Sequence, residues 1–468
     1  MSESAAQSTA NLWEPVFQIA VQFHSQRRLD EAGSLFAAII EHNPGHFPSL
    51  QRLAAIRRYQ GRMEDSLELL QKAVAANPDS ADLHNSLANT LNGVGRPQDA
   101  IEHYRAAIAL RPDFPEAYFN LGRGFKELRQ FPEAEEAYRN AIRLRPAYAE
   151  AHSNLGIVLG RMNRHAESIA SFTAALEADP QTRMAHNNIG LALTALNRHE
   201  EAAPFYVRAR ELEPDSPLPL FNEALTRLAI GDLERGLPGY EARWSVPELQ
   251  IQLPDFAQPL WKGDASIEGK RLLLRAEQGL GDTILFARYI QPLAARGAML
   301  RLVVHKALVN LMRSTPGVED VRSIHDPLPE FDCYTPMGTL PLALGTTLAT
   351  IPSHTPYLCP PSESETIDHL DRSQGPLIGI CWAGNPDYPN DHNRSIPLGI
   401  FQRLFQTPNV RFVSLQQNLR PGDDAILANY RNIDLTSDRK GKGLADTAAL
   451  ISKLDLVVTV DTVIGHLS

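Results

Sequence analysis

Asp461, Thr462 and His466 stand where a run of apolar and β-branched residues gives way to a helix-like pattern, in DLVVTVDTVIGHL. A parallel strand that turns into a helix offers backbone N–H groups at its C-terminal end, a setting suited to an anionic ligand. Thr462 and His466 are four positions apart, so on a helix they share one face. GLGDT repeats the strand-to-helix pattern and carries Asp282, which either accepts a proton in a cleft or caps the helix that follows. Gly279 and Gly281 permit a tight turn and a close approach to the backbone. Arg394, in NDHNRSIP, places a cation in a loop before a helix, with Ser395 as expected cap and Pro397 in the first turn. Asn385 and Asn390 are polar loop contacts near it, and Gln416 follows the strand-like FVSL.

The elements that must position these residues alternate. After Gly269 come the strand RLLLR, the helix DTILFARYI, the strand MLRLVVH, the helix KALVNLMRST, and the short strands VEDVRSI and FDCYTPM. A Pro-rich crossing follows, and a second set begins at PLIGICWAG and ends at DLVVTV. Strand and helix alternating at these lengths predict doubly wound parallel sheets in two lobes, with a ligand cleft between them. Composition is that of a soluble globular chain: of 468 residues, 43% are hydrophobic and 21% charged, with a net charge of -10. That balance argues against a general nucleic-acid or anionic-membrane binder. The N-terminus has no basic segment leading into an apolar run, and no run approaches the ~18 apolar residues of a membrane span, so a cytoplasmic protein is expected. Cys333, Cys359 and Cys381 lack C-x-x-C spacing and read as reduced, buried thiols, with no metal site.

The first half is periodic. Pro44, Pro78, Pro112, Pro146, Pro180 and Pro214 recur every 34 residues. Leu-Gly or Ile-Gly pairs at 121–122, 155–156 and 189–190, with aromatic residues at Tyr138, Phe172 and Tyr206, keep the same period. A 34-residue unit with a terminal proline is the mark of a helix–turn–helix solenoid. These units resemble tetratricopeptide repeats, about seven of them, with the first and last atypical as capping units are. Asn120, Asn154, Asn188 and Asn222 share the period on the first helix of each unit. They form either a column of amides in the groove for the backbone of an extended protein or peptide partner, or a set of local hydrogen bonds. The column resembles the asparagine ladder of the O-linked N-acetylglucosamine transferases. The expected organisation is an α-solenoid at 13–246, a Pro-rich linker at 247–268, a first lobe at 269–360 and a second lobe at 372–468.

LLRAEQGLGDTILFARYI, GICWAGNPDYPNDHNRSIPLGIF, FVSLQ and LDLVVTVDTVIGHL, in this order, resemble family 9 glycosyltransferases, and more closely those joined to tetratricopeptide repeats. The resemblance implies a two-lobed glycosyltransferase-B-like fold, inversion at the anomeric carbon, a nucleotide-sugar donor and no essential metal. The absence of a D-x-D pair agrees with the last point. By resemblance Asp282 is the base, and Asp461, Thr462 and His466 match the family's D-T-x-x-x-H donor element. Arg394 meets the diphosphate, and Gln416 either reaches sugar or nucleotide or is an exposed polar strand end. In the family further elements follow that turn. The second lobe is therefore expected to be incomplete at residue 468, its last helix without packing partners. Two functions are carried forward: a transferase acting on a protein or glycan acceptor, and a repeat scaffold with a degenerate transferase domain.

Overall fold

The computed structural model describes residues 3–361, 372, 375–388, 391–434 and 443–468. Contacts divide the chain into two compact units, Met1–Thr226 and Arg227–Ser468.

The first unit is helical among its described residues. Its antiparallel pairs are α1/α2 (Glu3–Ser25, Leu29–His42), α3/α4 (Phe47–Tyr59, Met63–Ala76) and α5/α6 (Ala81–Gly93, Pro97–Leu110). They continue as α7/α8 (Pro115–Glu127, Phe131–Leu144), α9/α10 (Ala149–Arg161, His165–Ala178) and α11/α12 (Arg183–Ala195, His199–Leu212). α13 (Leu218–Ala229) runs across the division. Each periodic proline falls two residues beyond a second helix, as Pro112 follows Leu110, where a residue without an N–H ends the helix. The turn inside each pair carries a left-handed residue at the same repeat position: Arg27 (φ 58°), Gly61 (φ 77°), Gly95 (φ 77°), Arg129 (φ 57°), Asn163 (φ 61°) and Asn197 (φ 57°). Glycine adopts that conformation freely, and asparagine tolerates it.

Glycine has another use within each pair. A Cβ on Gly122 would stand 2.7 Å from the Tyr138 ring, on Gly156 2.9 Å from Phe172, and on Gly190 2.7 Å from Tyr206. The three rings are almost fully buried. The Leu-Gly pairs thus let the aromatic of the second helix lie directly on the backbone of the first.

The second unit opens with α14 (Leu233–Tyr240) and holds two four-stranded sheets. The first comprises β1 (Arg271–Arg275), β2 (Met299–Val304), β3 (Val318–Ser323) and β4 (Cys333–Pro336), ordered β3-β2-β1-β4. The second comprises β5 (Leu377–Cys381), β6 (Arg411–Ser414), β7 (Ile433–Asp434) and β8 (Leu456–Thr459), ordered β7-β6-β5-β8. Every pairing is parallel, with β1 and β5 in corresponding places. Leu272, Leu273 and Leu274 are all fully buried, as a parallel strand covered on both faces requires. The helices of the first lobe are α15 (Leu280–Ala287), α16 (Ile290–Ala294), α17 (Val309–Arg313) and α18 (Leu340–Ala343). Those of the second are α19 (Asp391–Arg394), α20 (Leu398–Phe401), α21 (Asp423–Leu427), α22 (Leu444–Ile451) and α23 (Val463–Leu467).

Three expectations change. The stretch expected as a linker is docked on the first sheet: the Trp261 N–H donates to Tyr334 O (2.8 Å), Tyr334 OH to Pro254 O (2.7 Å), and Trp261 is 4% exposed. An aromatic of that size adds apolar burial to a small sheet. The helix carrying His466 has packing partners: Val463 and Leu467 of α23, with Leu444 and Ala445 of α22, join the core of the first lobe. Cys333 and Cys381 are buried, whereas Cys359 is exposed.

Candidate functional site

A cavity of about 790 Å³ opens among the loops that follow β1, β5, β6 and β8. These are the C-terminal ends of parallel strands, where the backbone N–H groups of the next turns face outward. It gathers Gly279, Gly281, Asp282, Arg394, Gln416, Asp461, Thr462 and His466, together with Asn385. Asn390 lies outside the described residues.

Asp282 occupies the third position of α15, with Gly279 as the N-cap, so it is not itself the cap. Its Oδ2 accepts the Gly279 N–H at 3.1 Å, while Thr283 Oγ1 donates to Gly279 O at 3.0 Å. The same local structure recurs in GLADT, where Asp446 Oδ2 accepts the Gly443 N–H at 3.0 Å. This carboxylate arrangement is therefore built by the local sequence; only Asp282 of the two lines the cavity. Neither Gly279 (φ −65°) nor Gly281 has a left-handed backbone. Gly281 is needed for another reason: a Cβ there would stand 2.6 Å from Cδ2 and 3.0 Å from Nε2 of His466. The imidazole of the second lobe rests on the first lobe's turn.

Thr462 is the N-cap of α23, its Oγ1 accepting the Ile464 N–H at 3.3 Å, and Asp461 is exposed before it. Cys381 is buried beneath, its Sγ 3.4 Å from Gln416 Oε1; burial pushes its thiol pKa up, against hydrogen bonds from Thr462 and Thr459. An inert thiol follows.

Gln416 differs from the expectation that it reaches out to ligand. Its Oε1 accepts the N–H groups of Trp382 (3.2 Å) and Ala383 (3.0 Å), and its Nε2 donates to Ala383 O (2.9 Å) and Asn418 O (3.2 Å). The amide is fully occupied in clamping the end of β5 to that of β6. Ser395 is likewise not a helix cap, since Pro397 holds that place for α20. Its hydroxyl accepts the Gly384 N–H (3.0 Å) and donates to Asp391 Oδ1 (2.6 Å), and Arg420 also binds Asp391.

Arg394 is the cation left over from this network. Its Cζ lies 4.1 Å over the Tyr388 ring, and its enclosed Nε has no hydrogen-bond partner among the described residues. A guanidinium held by ring stacking keeps its donors for an anion. The sequence reading missed Tyr388, although an aromatic six positions before an arginine in a Gly/Pro/Asn-rich loop was there to be noticed. Among the described residues no group of three or more His, Cys, Asp or Glu is placed to hold a metal ion. No described helix is long and apolar enough to cross a membrane.

In the first unit the four asparagines part company. Asn120 (9% exposed) and Asn222 (8% exposed) are buried, and each donates to the repeat before: Asn120 to Asn85 Oδ1 at 3.1 Å, Asn222 to Asn187 Oδ1 at 2.9 Å. Asn154 is half-buried between Lys126 Nζ (2.6 Å) and Glu150 O (2.9 Å), and Asn188 is half-buried beside Asn187. A uniform exposed column is therefore absent. Asn85 and Asn187, one position earlier in the repeat, take up the amides of the next one, which a period-34 reading overlooks because their spacing to those partners is 35.

Comparison with known proteins agrees with this region. Tetratricopeptide repeat models match residues 23–90 and 154–217, and a TPR repeat model matches 94–128 and 125–163. Protein FlbA of Caulobacter vibrioides is 29% identical over 263 residues, a match spanning 49% of this chain and 42% of that protein. Among solved structures, YrrB, described as a TPR protein with an unusual peptide-binding site, is 22% identical; the match covers 40% of this chain and 95% of that one (TM-score 0.35). Pseudomonas aeruginosa pilF is 20% identical, covering 43% and 92% (TM-score 0.39). The N-terminal part of the chain thus consists of tetratricopeptide repeats, whose stacked units build surfaces for binding other proteins.

Proposed function

We propose that the repeats recruit a protein partner to a transferase domain. That domain moves a sugar from a nucleotide-sugar donor to a protein or glycan acceptor, with inversion and without an essential metal. One observation carries the reading. Four segments distant in sequence, 279–282, 381–388 with Arg394, 415–418 and 461–466, converge on one cavity at the C-terminal ends of parallel strands. Residues of the types that inverting transfer needs are among them. Asp282 has one carboxylate oxygen tied to the Gly279 N–H, and Oδ1 makes no hydrogen bond among the described residues, so that oxygen is available for an acceptor hydroxyl. Arg394, stacked on Tyr388 and without a hydrogen bond among the described residues, answers the charge that builds on a departing diphosphate. His466 and the Thr462 turn supply further donors on the same wall.

The second reading, a repeat scaffold with a degenerate transferase domain, is favoured by Gln416, whose amide is wholly engaged with backbone. Thermal unfolding in the presence of UDP, GDP, ADP and CMP, and of their sugar conjugates, separates the two. A ligand at 100 times its dissociation constant adds about 2.7 kcal/mol of stability. Stabilisation by one nucleotide series, lost on Arg394→Ala, is the expected outcome. If none of the four series stabilises the chain, the donor site does not exist and the scaffold reading stands.

A further inference from the structure

The groove of the first unit changes chemistry along its length. Asn89, Arg123, Ile157, Leu191 and Leu225 occupy one repeat position, each 34 residues after the last, on the first helices of successive pairs. The early members are polar or basic. Of the later ones Ile157 is half-buried, and Leu191 and Leu225 are each 42% exposed. Equivalent positions on stacked repeats face the same surface, so a polar end runs into an apolar one.

At the polar end, Arg58 of α3, Asn89 and Asn92 of α5 and Arg123 of α7 line a cavity of about 470 Å³, together with one carboxylate, Glu127. Arg58 and Arg123 are exposed, and neither guanidinium makes an ion pair or hydrogen bond with another described residue. Several other repeat arginines are paired: Arg28 with Glu31, Arg96 with Asp99, Arg164 with Glu135 and Glu167, Arg198 with Glu201. Beside Arg123, burial first and then the Arg123 charge hold the Lys126 pKa below its ordinary value, against the nearby Glu127 carboxylate.

We propose that this groove binds an extended segment of a partner protein that is acidic over Arg58 and Arg123 and apolar over Ile157, Leu191 and Leu225. Guanidiniums without a carboxylate partner among the described residues, in a chain of net charge -10, call for a carboxylate on the bound segment. The inference deepens the reading of the repeats as a partner-recruiting surface and rests on it.

The test is selection of a random dodecapeptide phage library on the full-length chain, followed by fluorescence anisotropy with labelled synthetic peptides. Recovered peptides are expected to carry an acidic block and an apolar block. Their dissociation constants should rise about tenfold in Arg58→Ser/Arg123→Ser, the loss expected when charge-assisted hydrogen bonds are removed. Both positions are exposed, and an unchanged melting temperature confirms that the variant folds. Leu191→Ser/Leu225→Ser should weaken the same peptides while leaving the acidic preference. Peptides recovered without acidic bias, or an acidic bias that survives the double arginine substitution, would overturn the charge assignment and leave peptide binding standing. Recovery no better than on a blank surface would overturn both.

Discussion

Both units contain a glycine that makes room for a ring, and the two cases differ in range. In the solenoid Gly122, Gly156 and Gly190 receive Tyr138, Phe172 and Tyr206, each sixteen residues further on and within the same helical pair. In the two-sheet unit Gly281 receives His466, from the other lobe. The first contact is local, repeated and apolar. The second joins two sheets and places a titratable side chain on the wall of a cavity. The same absence of a Cβ thus serves packing within a repeat in one unit and assembly of a candidate site in the other.

The comparison breaks or sharpens under substitution. The largest expected effect is on chemistry: Asp282→Asn keeps an oxygen for the Gly279 N–H, and transfer to an identified acceptor should fall by ~10²–10⁴ while nucleotide affinity is retained. Normal turnover would reduce Asp282 to the structural role that Asp446 has in GLADT. Next, Phe172→Ala should cost the solenoid about 3–5 kcal/mol, read from its urea transition, because the ring is 2% exposed and lies on Gly156. Gly281→Ala should cost about 1–3 kcal/mol in the second unit and raise amide exchange in 461–467, since the new methyl displaces His466. If α23 exchanged as before, the lobes would not depend on that contact.

A finer pair separates the asparagines. Asn222→Ala leaves the Oδ1 of Asn187 (1% exposed) without its donor and should cost about 1–3 kcal/mol, whereas Asn154→Ala should stay within about 0.5 kcal/mol. Equal effects would restore a single functional column. The smallest effect is on pH dependence. His103 has its pKa lowered from 6.5 by burial and by His84, whose Nδ1 lies 3.0 Å from its own. A lowered histidine pKa means that the folded chain binds fewer protons, so the stability from this group is present above pH 6.5 and is lost as pH falls below it. Melting temperatures of the parent between pH 7.5 and 5.5 should therefore fall more than those of His103→Gln.

How much was legible in the sequence follows the same division. The prolines, the small residues and the aromatics announce the helical pairs because every partner lies within a fixed number of residues. The strands after Gly269 were legible as well, since consecutive apolar runs such as Leu272–Leu274 can be buried only on both faces of a parallel sheet. The candidate residues were legible as types at strand ends. Their hydrogen bonds were not: Gln416 read as a polar strand end and Ser395 as a helix cap, yet Gln416 ties the end of β6 to that of β5, and Ser395 receives Arg420 from the loop after β6.

The sequence by itself determined that this chain has a repeat half and an alternating half, and that Asp282 and the Asp461–His466 stretch stand where strands end. The physical reason is that backbone periodicity and helix termination are properties of neighbouring residues. Only the tertiary structure decided that Gly281 serves His466, that Arg394 is stacked on Tyr388 while Gln416 is occupied, and that Asn120 and Asn222 are buried. Whether a polar group is free or paired depends on what the fold brings against it, and those partners lie on other elements, often far along the chain.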